Sequence, residues 1–116
     1  MAKTTAEIIK DQLGVATRFV DDPEVTQVGT SDVMIAKPNN RRVGLVIQNL
    51  SANEIYVRPN YAASTTTGIK LLAGGSISFN FRDDFVMPTF EWHAISNSGS
   101  TNDIYVLSVE VDVNID

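Results

Sequence analysis

Apolar and polar residues alternate along most of this chain, in short runs that turn-forming residues separate. The cleanest alternation covers residues 76–81, where Ile77, Phe79 and Phe81 fall on one side, and residues 104–113. A period of two is the pattern of a β-strand whose two faces meet different surroundings. Gly, Asn, Pro and Ser are concentrated between the runs, as in turns. The pattern therefore predicts a mainly β chain.

The predicted strands number about eight, and no helical pattern lies between them. They cover residues 24–28, 32–36, 42–49, 54–58, 69–72, 76–81, 90–94 and 104–113. In the last strand, Tyr105, Leu107, Val109, Val111 and Val113 form one face. Short strands at this spacing are typical of antiparallel sandwiches and barrels. We predict a jelly-roll-like antiparallel β-sandwich over residues 23–116.

Residues 1–22 carry a helical pattern instead. Thr4 and Glu7 match a capping box. The apolar residues that follow at helical spacing are Ile8, Ile9, Leu13, Val15, Ala16, Phe19 and Val20. The sequence Asp-Asp-Pro at 21–23 ends the pattern, because the residue before a proline avoids the helical region. We predict an N-terminal amphipathic α-helix, or arm, over residues 1–22. A helix of about 15 residues is not stable alone in water, so its apolar face lies either on this domain's own sheet or on another subunit.

Composition restricts the class of protein. The chain has 116 residues, of which 43% are hydrophobic and 20% charged, which is typical of one globular domain. It has no cysteine, which excludes disulfides and thiolate metal ligands. No apolar run is long enough to span a bilayer, and the first residues have no signal-peptide core. We therefore expect neither a membrane span nor secretion by a signal peptide.

The net charge of −5 is distributed unevenly. Residues 37–82 hold six basic groups and one acidic group, whereas the residues after Arg82 hold seven acidic groups and no basic one. Binding to nucleic acid depends on a high density of cationic groups, so an acidic chain is predicted not to bind it. Two interpretations of the asymmetry stay open: neighbouring strands compensate each other's charge, or a surface of both signs docks on a charged partner.

The candidate chemistry is sparse. His93 is the only histidine, and no residue at strand spacing gives it a partner, so we interpret it as a packing residue. The pairs Asp21-Asp22 and Asp83-Asp84 lie in predicted turns, where Asp accepts local backbone hydrogen bonds. A small hydrolase that uses Asp83 or Asp84 with His93 is a weak alternative. We predict no catalytic residue, no cofactor and no metal, and hence a protein that is not an enzyme.

Residues 39–81 read NNRRVGLVIQNLSANEIYVRPNYAASTTTGIKLLAGGSISFNF. An Asn-Arg entry leads into an apolar strand that ends in Ile-Gln-Asn, followed by Ile-Tyr-Val, a Ser-Thr-Thr loop and Leu-x-Ala-Gly-Gly-Ser. Residues 91–111, EWHAISNSGSTNDIYVLSVEV, form an Ala-Ile-Ser strand, a Gly/Ser turn and a Val-rich strand. Together these segments resemble small all-β virion proteins of tailed bacteriophages. The N-terminal helical segment is not part of the resemblance.

The resemblance implies a structural role in the virion, as a capsid decoration (cement) protein, a head fibre or a tail accessory protein. Capsid decoration fits best: a homo-oligomer, expected to be a trimer, would bind the major capsid protein or other virion proteins and stabilise the head lattice after assembly in the host cytoplasm. The alternative is a receptor- or glycan-binding module of a fibre or tail, with Trp92 and Tyr61 lining a groove. The candidate interface residues are Ile9, Leu13, Phe19, Arg41, Arg42 and Arg58.

Overall fold

A computed structural model describes Glu7 and residues 16–99 and 101–112. Within these residues the strands are β1 (Ala16–Val28), β2 (Val33–Ala36), β3 (Arg42–Asn49), β4 (Ile55–Pro59), β5 (Ile69–Leu71), β6 (Ser76–Asn80), β7 (Trp92–Ser96) and β8 (Asn102–Asp112). The connection between β6 and β7 contains a short helix, α1 (Phe81–Asp84), and a 3₁₀ turn, Met87–Thr89. No helix in the described part of the chain is long and apolar enough to cross a membrane.

The strands form two four-stranded sheets, in which every pairing is antiparallel. The first sheet has the order β1-β8-β3-β6, and the second has the order β2-β7-β4-β5. Only β4 and β5 are consecutive strands that pair; each of the other connections crosses from one sheet to the other, an arrangement typical of jelly-roll sandwiches. The predicted antiparallel β-sandwich is confirmed.

The core lies between the inner faces of the two sheets. Trp92 on β7 is completely buried, and its ring stacks on Phe79 of β6 with 4.9 Å between ring centroids and an interplanar angle of 26°. This contact joins the two sheets directly. The other fully buried apolar side chains include Val28, Ile35, Leu45, Ile47, Ile55, Val57, Ala94, Ile104 and Val106. Because Trp92 is in the core, it cannot line the carbohydrate groove that the glycan-binding alternative gave it.

The first strand corrects the predicted helix. That helix was expected to continue to Val20, but residues 16–28 form a strand that pairs with β8. The predicted boundary between residues 22 and 23 falls inside this strand. Pro23 lies on an edge strand, at the point where the register shifts between Asp21 and Val25, and sheets accept proline at such positions. Apart from Glu7, the residues before Ala16 lie outside the described part, and a helix there stays a prediction.

The last strand turns its less apolar face inward. Ser108 and Glu110 are buried together with Ile104 and Val106, whereas the predicted apolar face is only half-buried. The members of that half-buried face are Tyr105, Leu107, Val109 and Val111; Val113 lies outside the described residues. This apolar face can point outward because Glu110, on the opposite face, is buried with hydrogen-bond partners, as described below. The apolar face of β8 therefore lies on the outer face of the first sheet, which also carries the exposed polar residues Ser76, Ser78 and Asn80 of β6.

We expect Trp92→Ala to lower the free energy of unfolding by roughly 3–5 kcal/mol, because it removes the largest buried side chain and leaves a cavity beside Phe79. Urea unfolding followed by far-UV circular dichroism measures this loss. Tyr61→Ala is the control, since the side chain of Tyr61 is 66% exposed and its loss should cost less than about 0.5 kcal/mol. Equal losses in the two variants would contradict the assignment of Trp92 to the core.

Candidate functional site

The candidate interface residues that the structure describes gather at one end of the sandwich. The pairing of Ala16 with Asp112 places the start of β1 beside the end of β8, and the pairing of Arg42 with Glu110 places the start of β3 there too. Trp92, the first residue of β7, pairs with Ala36 and Pro59 near the ends of β2 and β4. We call this the loop end. It consists of the loops 37–41, 60–68 and 81–91, with the adjoining ends of β1 and β8.

Arg42 is an internal residue of the loop end. It is 1% exposed, and its guanidinium donates from Nη1 to the carbonyl oxygens of Pro88 (3.1 Å) and Phe90 (3.2 Å) and from Nη2 to that of Lys37 (2.8 Å). These bonds fix the 37–41 and 81–91 loops to β3. The expectation that Arg42 contacts a partner is corrected, because its charge is used inside the molecule.

The other candidates have different surroundings. Arg41 is exposed beside Asn39, whose side chain accepts the Arg41 backbone N–H at 2.9 Å. The Arg58 guanidinium lies 4.9 Å from the centre of the Tyr61 ring and donates to the carbonyl oxygen of Ala62 at 3.3 Å. Arg41 and Arg58 thus stay available as interface residues. Ile9 and Leu13 lie outside the described residues.

Phe19 is on the outer face of the first sheet, near the loop end. It pairs with Val109 of β8, and its side chain is 70% exposed. The sequence pattern placed it on a helix; the structure places it on a strand. It nevertheless remains an exposed apolar residue, which is what the interface prediction required of it.

The most exposed apolar segment at the loop end was not anticipated from the sequence. Phe85 is 79% exposed and Val86 is 59% exposed, and Phe81 is also exposed. The backbone of Phe85 has φ 56° and ψ −116°, a region that favours glycine and costs another residue about 1–3 kcal/mol. We call residues 81–86 the Phe85 loop. The sequence feature that could have indicated this loop is a phenylalanine directly after Asp83-Asp84, which lie in a predicted turn. An apolar ring at such a position has no core to enter.

The Phe85 loop is held firmly on its N-terminal side. The Asn80 side chain accepts the backbone N–H of Asp83 at 3.0 Å and donates to the Asp83 carboxylate at 3.0 Å. The Asp84 carboxylate accepts the backbone N–H of Asn80 at 2.9 Å. The prediction that Asp83 and Asp84 accept local hydrogen bonds is confirmed. Since Arg42 holds the far side of the connection at Pro88, Phe85 is presented on a loop that is fixed at both ends.

His93 has two partners that the sequence did not suggest. Its Nδ1 is 2.8 Å from Asp32 Oδ2, and its Nε2 is 2.6 Å from Glu91 Oε2. The second Asp32 oxygen accepts the Ala63 backbone N–H at 2.7 Å, and the Glu91 carbonyl accepts that of Asn60 at 2.9 Å. Glu91 lies two residues before His93 and shares its face of the sheet, whereas Asp32 is brought there by the pairing of β2 with β7. The cluster clamps the 60–68 loop onto the second sheet.

The two carboxylates determine the charge of His93. Partial burial lowers the pKa of the imidazole, but the hydrogen bonds and negative charges of Glu91 and Asp32 outweigh this effect and raise it above 6.5. The ring nitrogens point in different directions, each to its own carboxylate, so the three groups do not converge on one point. Across the described residues, no group of three or more His, Asp or Glu side chains is arranged to hold a metal ion.

Glu110 fastens the edge of the first sheet to the loop end. Its Oε1 accepts from Arg18 Nη2 at 2.7 Å and Nε at 3.0 Å, and its Oε2 accepts from Asn39 Nδ2 at 2.8 Å. The hydrogen bond from Asn39 and the bond and charge of Arg18 lower the pKa of this carboxyl. Arg18 and Glu110 are opposite each other on β1 and β8, so this pair compensates charge between neighbouring strands.

Comparison with known proteins gives the fold and little more. No family model and no curated protein sequence matches the chain. A solved structure of Bacillus endospore appendages, from a family of disulfide-linked pili, is 11% identical with a TM-score of 0.52, and the match covers 84% of this chain and 87% of that one. At this identity the likeness concerns the fold alone.

Two further solved structures are similar at a lower level. The cupin domain of Schizosaccharomyces pombe Cnp3 is 14% identical with a TM-score of 0.46, over 86% of this chain and 61% of that chain. Streptomyces albus HEPD, solved with 2-hydroxyethylphosphonate and Fe(II) bound, is 16% identical with a TM-score of 0.46, over 83% of this chain and 22% of that chain. Neither of these, nor the pilus protein, is a phage protein.

We expect Arg42→Met to lower the free energy of unfolding by roughly 2–4 kcal/mol, because three backbone carbonyl oxygens lose their donor at a buried position. Urea unfolding monitored by the fluorescence of the single tryptophan measures the change. Arg41→Met is a matched control at the adjacent, exposed position and should change stability by less than about 0.5 kcal/mol. If both variants are equally stable, the guanidinium bonds do not hold the loop end.

The His93 clamp predicts a pH dependence. Because the folded-state pKa is raised, the contribution of His93 to stability is present in full below its unfolded-state value of 6.5 and is lost as the pH rises through the folded-state value. The stability difference between the wild type and His93→Gln should therefore shrink as the pH rises above 6.5.

Nuclear magnetic resonance checks the cause, since the chain has a single histidine and hence one imidazole signal to titrate. The measured pKa should lie above 6.5 and fall in Glu91→Gln. Glu54→Gln is the control, because Glu54 pairs with Lys70 at 3.3 Å and not with His93. A wild-type value at or below 6.5 would show that the two carboxylates do not stabilise the imidazolium.

Proposed function

We propose that this chain is a non-enzymatic structural protein of a bacteriophage virion, and specifically a capsid decoration (cement) protein that docks on the head lattice through its loop end. The observation that carries the proposal is Phe85, an exposed aromatic residue in a strained backbone conformation on a loop that is fixed at both ends. The resemblance of residues 39–81 and 91–111 to small virion proteins supplies the class of assembly.

The Phe85 loop has the properties of an interface anchor. The positive φ of Phe85 lowers the stability of the folded chain. Burial of the ring does not offset this loss within the described chain, because the side chain is exposed. Aromatic residues that enter a pocket on a partner contribute much of the binding energy of protein interfaces, while the polar residues around them exclude water. The loop end supplies both parts, with Arg41 and Arg58 as charged residues around the apolar loop.

The mechanism is passive. A cement protein that binds only the assembled lattice shifts the equilibrium towards assembly by mass action, and it raises the barrier to separation by burying surface across neighbouring capsid subunits. Arg41 and Arg58 give the contact a basic component, which suits an acidic patch on the capsid protein. A trimer on a three-fold position of the lattice would repeat the contact with closed symmetry.

The likeness to the Bacillus appendage structure is compatible with this role. Its description concerns pili, which are assemblies of subunits, so a sandwich of similar fold serves there as a building block. The appendage pili are described as disulfide-linked, whereas the present sequence contains no cysteine. Any assembly of this chain must therefore use other contacts, and we assign that role to the exposed apolar and basic residues.

His93 is assigned a structural role in this proposal. Each of its ring nitrogens is bonded to a carboxylate, Nδ1 to that of Asp32 and Nε2 to that of Glu91. The Asp32 carboxylate also accepts a backbone N–H of the 60–68 loop. The hydrolase alternative needed Asp83 or Asp84 beside His93, but both bond to Asn80 instead. Glycan binding retains one exposed ring, Tyr61, with Arg58 stacked on it.

We expect Phe85→Gly to weaken binding to expanded phage heads by about tenfold or more, because it removes the proposed anchor. The same change should leave the domain at least as stable as the wild type, since glycine adopts φ 56° without strain. Binding is measured by co-sedimentation with heads of the phage whose genome encodes the chain, stripped of their own copies. Stability is measured by thermal unfolding.

Leu72→Gly is the matched control, since Leu72 is 60% exposed but lies between β5 and β6 at the opposite end of the sandwich. It should bind heads as the wild type does. If wild-type protein does not sediment with heads, the cement proposal is wrong. If a glycan array then detects binding that Tyr61→Ala abolishes, the receptor-binding alternative takes its place.

A further inference from the structure

Two hydrogen bonds fix the first half of the 60–68 loop on the second sheet. The carbonyl oxygen of Glu91 accepts the backbone N–H of Asn60 at 2.9 Å, and one carboxylate oxygen of Asp32 accepts that of Ala63 at 2.7 Å. Ala63 is only 5% exposed in this position. The first acceptor is a backbone atom, whereas the second belongs to a side chain, whose position depends on its other contacts.

The other contact of the Asp32 carboxylate is the imidazole of His93. Asp32 Oδ2 lies 2.8 Å from Nδ1, while Nε2 of the same ring lies 2.6 Å from Glu91 Oε2. A histidine ring donates from both nitrogens only when it carries a positive charge, because the neutral ring has one N–H and one lone pair. The imidazolium therefore satisfies both carboxylates at once, and the neutral ring satisfies one of them.

We propose that the 60–68 loop is released at Ala63 when the His93 imidazolium loses its proton. Beside a neutral ring, Asp32 either faces a lone pair or keeps a hydrogen bond without charge assistance, and charge-assisted bonds are roughly twice as strong as neutral ones. In both cases the carboxylate is held less firmly against the Ala63 N–H. The side chain of Asp32 is 28% exposed, so it can turn to water instead.

The charged groups around His93 determine the direction of the change. Asp32 precedes β2 and Glu91 precedes β7, and both carboxylates bond to the ring. Arg58 is opposite His93 on β4, but its guanidinium lies over a tyrosine ring; Met34, opposite on β2, has no charge. Partial burial lowers the pKa of His93, and the two carboxylates outweigh this effect and raise it above 6.5. The attachment is therefore complete below pH 6.5 and is lost as the pH rises through the folded-state value.

Release at Ala63 leaves the beginning of the loop in place. The guanidinium of Arg58 still bonds to the Ala62 carbonyl oxygen and lies over the Tyr61 ring, because an arginine side chain does not lose its charge in this range. The part that moves is residues 63–68, up to the start of β5. One loop of the loop end is thus fixed when the imidazole is charged and mobile when it is neutral. The change does not depend on whether the chain binds phage heads.

Amide hydrogen exchange, measured by nuclear magnetic resonance, tests the release. The protection factor compares each amide with an unstructured peptide at the same pH and so removes the intrinsic effect of pH. For Ala63 it should fall by about fivefold or more as the imidazole titrates from charged to neutral. Asn60 is the control within the same loop, since its N–H bonds to a backbone carbonyl, and its protection should stay constant. A constant or rising protection factor at Ala63, or an equal fall at Asn60, overturns the inference.

His93→Gln shows whether the proton is the cause. The glutamine amide does not titrate in this range, so the protection of Ala63 should be low and independent of pH. Far-UV circular dichroism identical to that of the wild type shows that the domain is folded. A fall with pH that persists in His93→Gln places the cause at another group and contradicts the release mechanism.

A matched pair of substitutions tests the same link while His93 is kept. Glu91→Gln removes one of the two carboxylates and should lower the pH at which Ala63 loses protection, in step with the titration of the imidazole in the same samples. Glu54→Gln removes a carboxylate that pairs with Lys70 and should change neither midpoint. If the midpoint at Ala63 does not follow that of the imidazole in Glu91→Gln, the proton on His93 does not control the loop.

Discussion

The buried guanidinium of Arg42 is the interaction on which the loop end depends. A cation inside a protein must have its donors satisfied, and here three backbone carbonyl oxygens from two separate loops provide the acceptors. The charge thereby holds two connections between strands against β3. On one side it fixes the 37–41 loop, whose Asn39 binds Glu110, and on the other it fixes the connection that carries Phe85.

This organisation gathers residues of different kinds on one surface. The loop end presents Phe85, an exposed aromatic residue in a strained backbone conformation, with the basic residues Arg41 and Arg58 around it, which suits the contact with another protein proposed above. The sandwich core, centred on Trp92 and Phe79, joins the two sheets whose strands carry these loops.

Much of the fold could be predicted because a strand's pattern is local. The bounds of β3 were predicted to the residue, and the other strands from β2 onward were located to within a few residues, since turn-forming residues separate them. The errors arose where local pattern is ambiguous. Apolar residues at 16, 19 and 20 fit a helix stripe, but pairing with β8 decided in favour of a strand. The choice of which β8 face points inward likewise depended on the hydrogen-bond partners of Glu110. Those partners, Arg18 and Asn39, lie on other segments, so the pattern of β8 alone could not indicate them.

The sequence by itself determined the mainly β class, the local bonding of Asp83 and Asp84, and an excess of apolar residues on one face of β8, because each of these depends on neighbours in the chain. Only the tertiary structure decided that Arg42 is buried and that Phe85 is strained and exposed. It also decided that His93 lies between Asp32 and Glu91. The burial of Arg42 against Pro88 and Phe90 and the contact of His93 with Asp32 arise between segments distant in sequence, which the pairing of strands brings together.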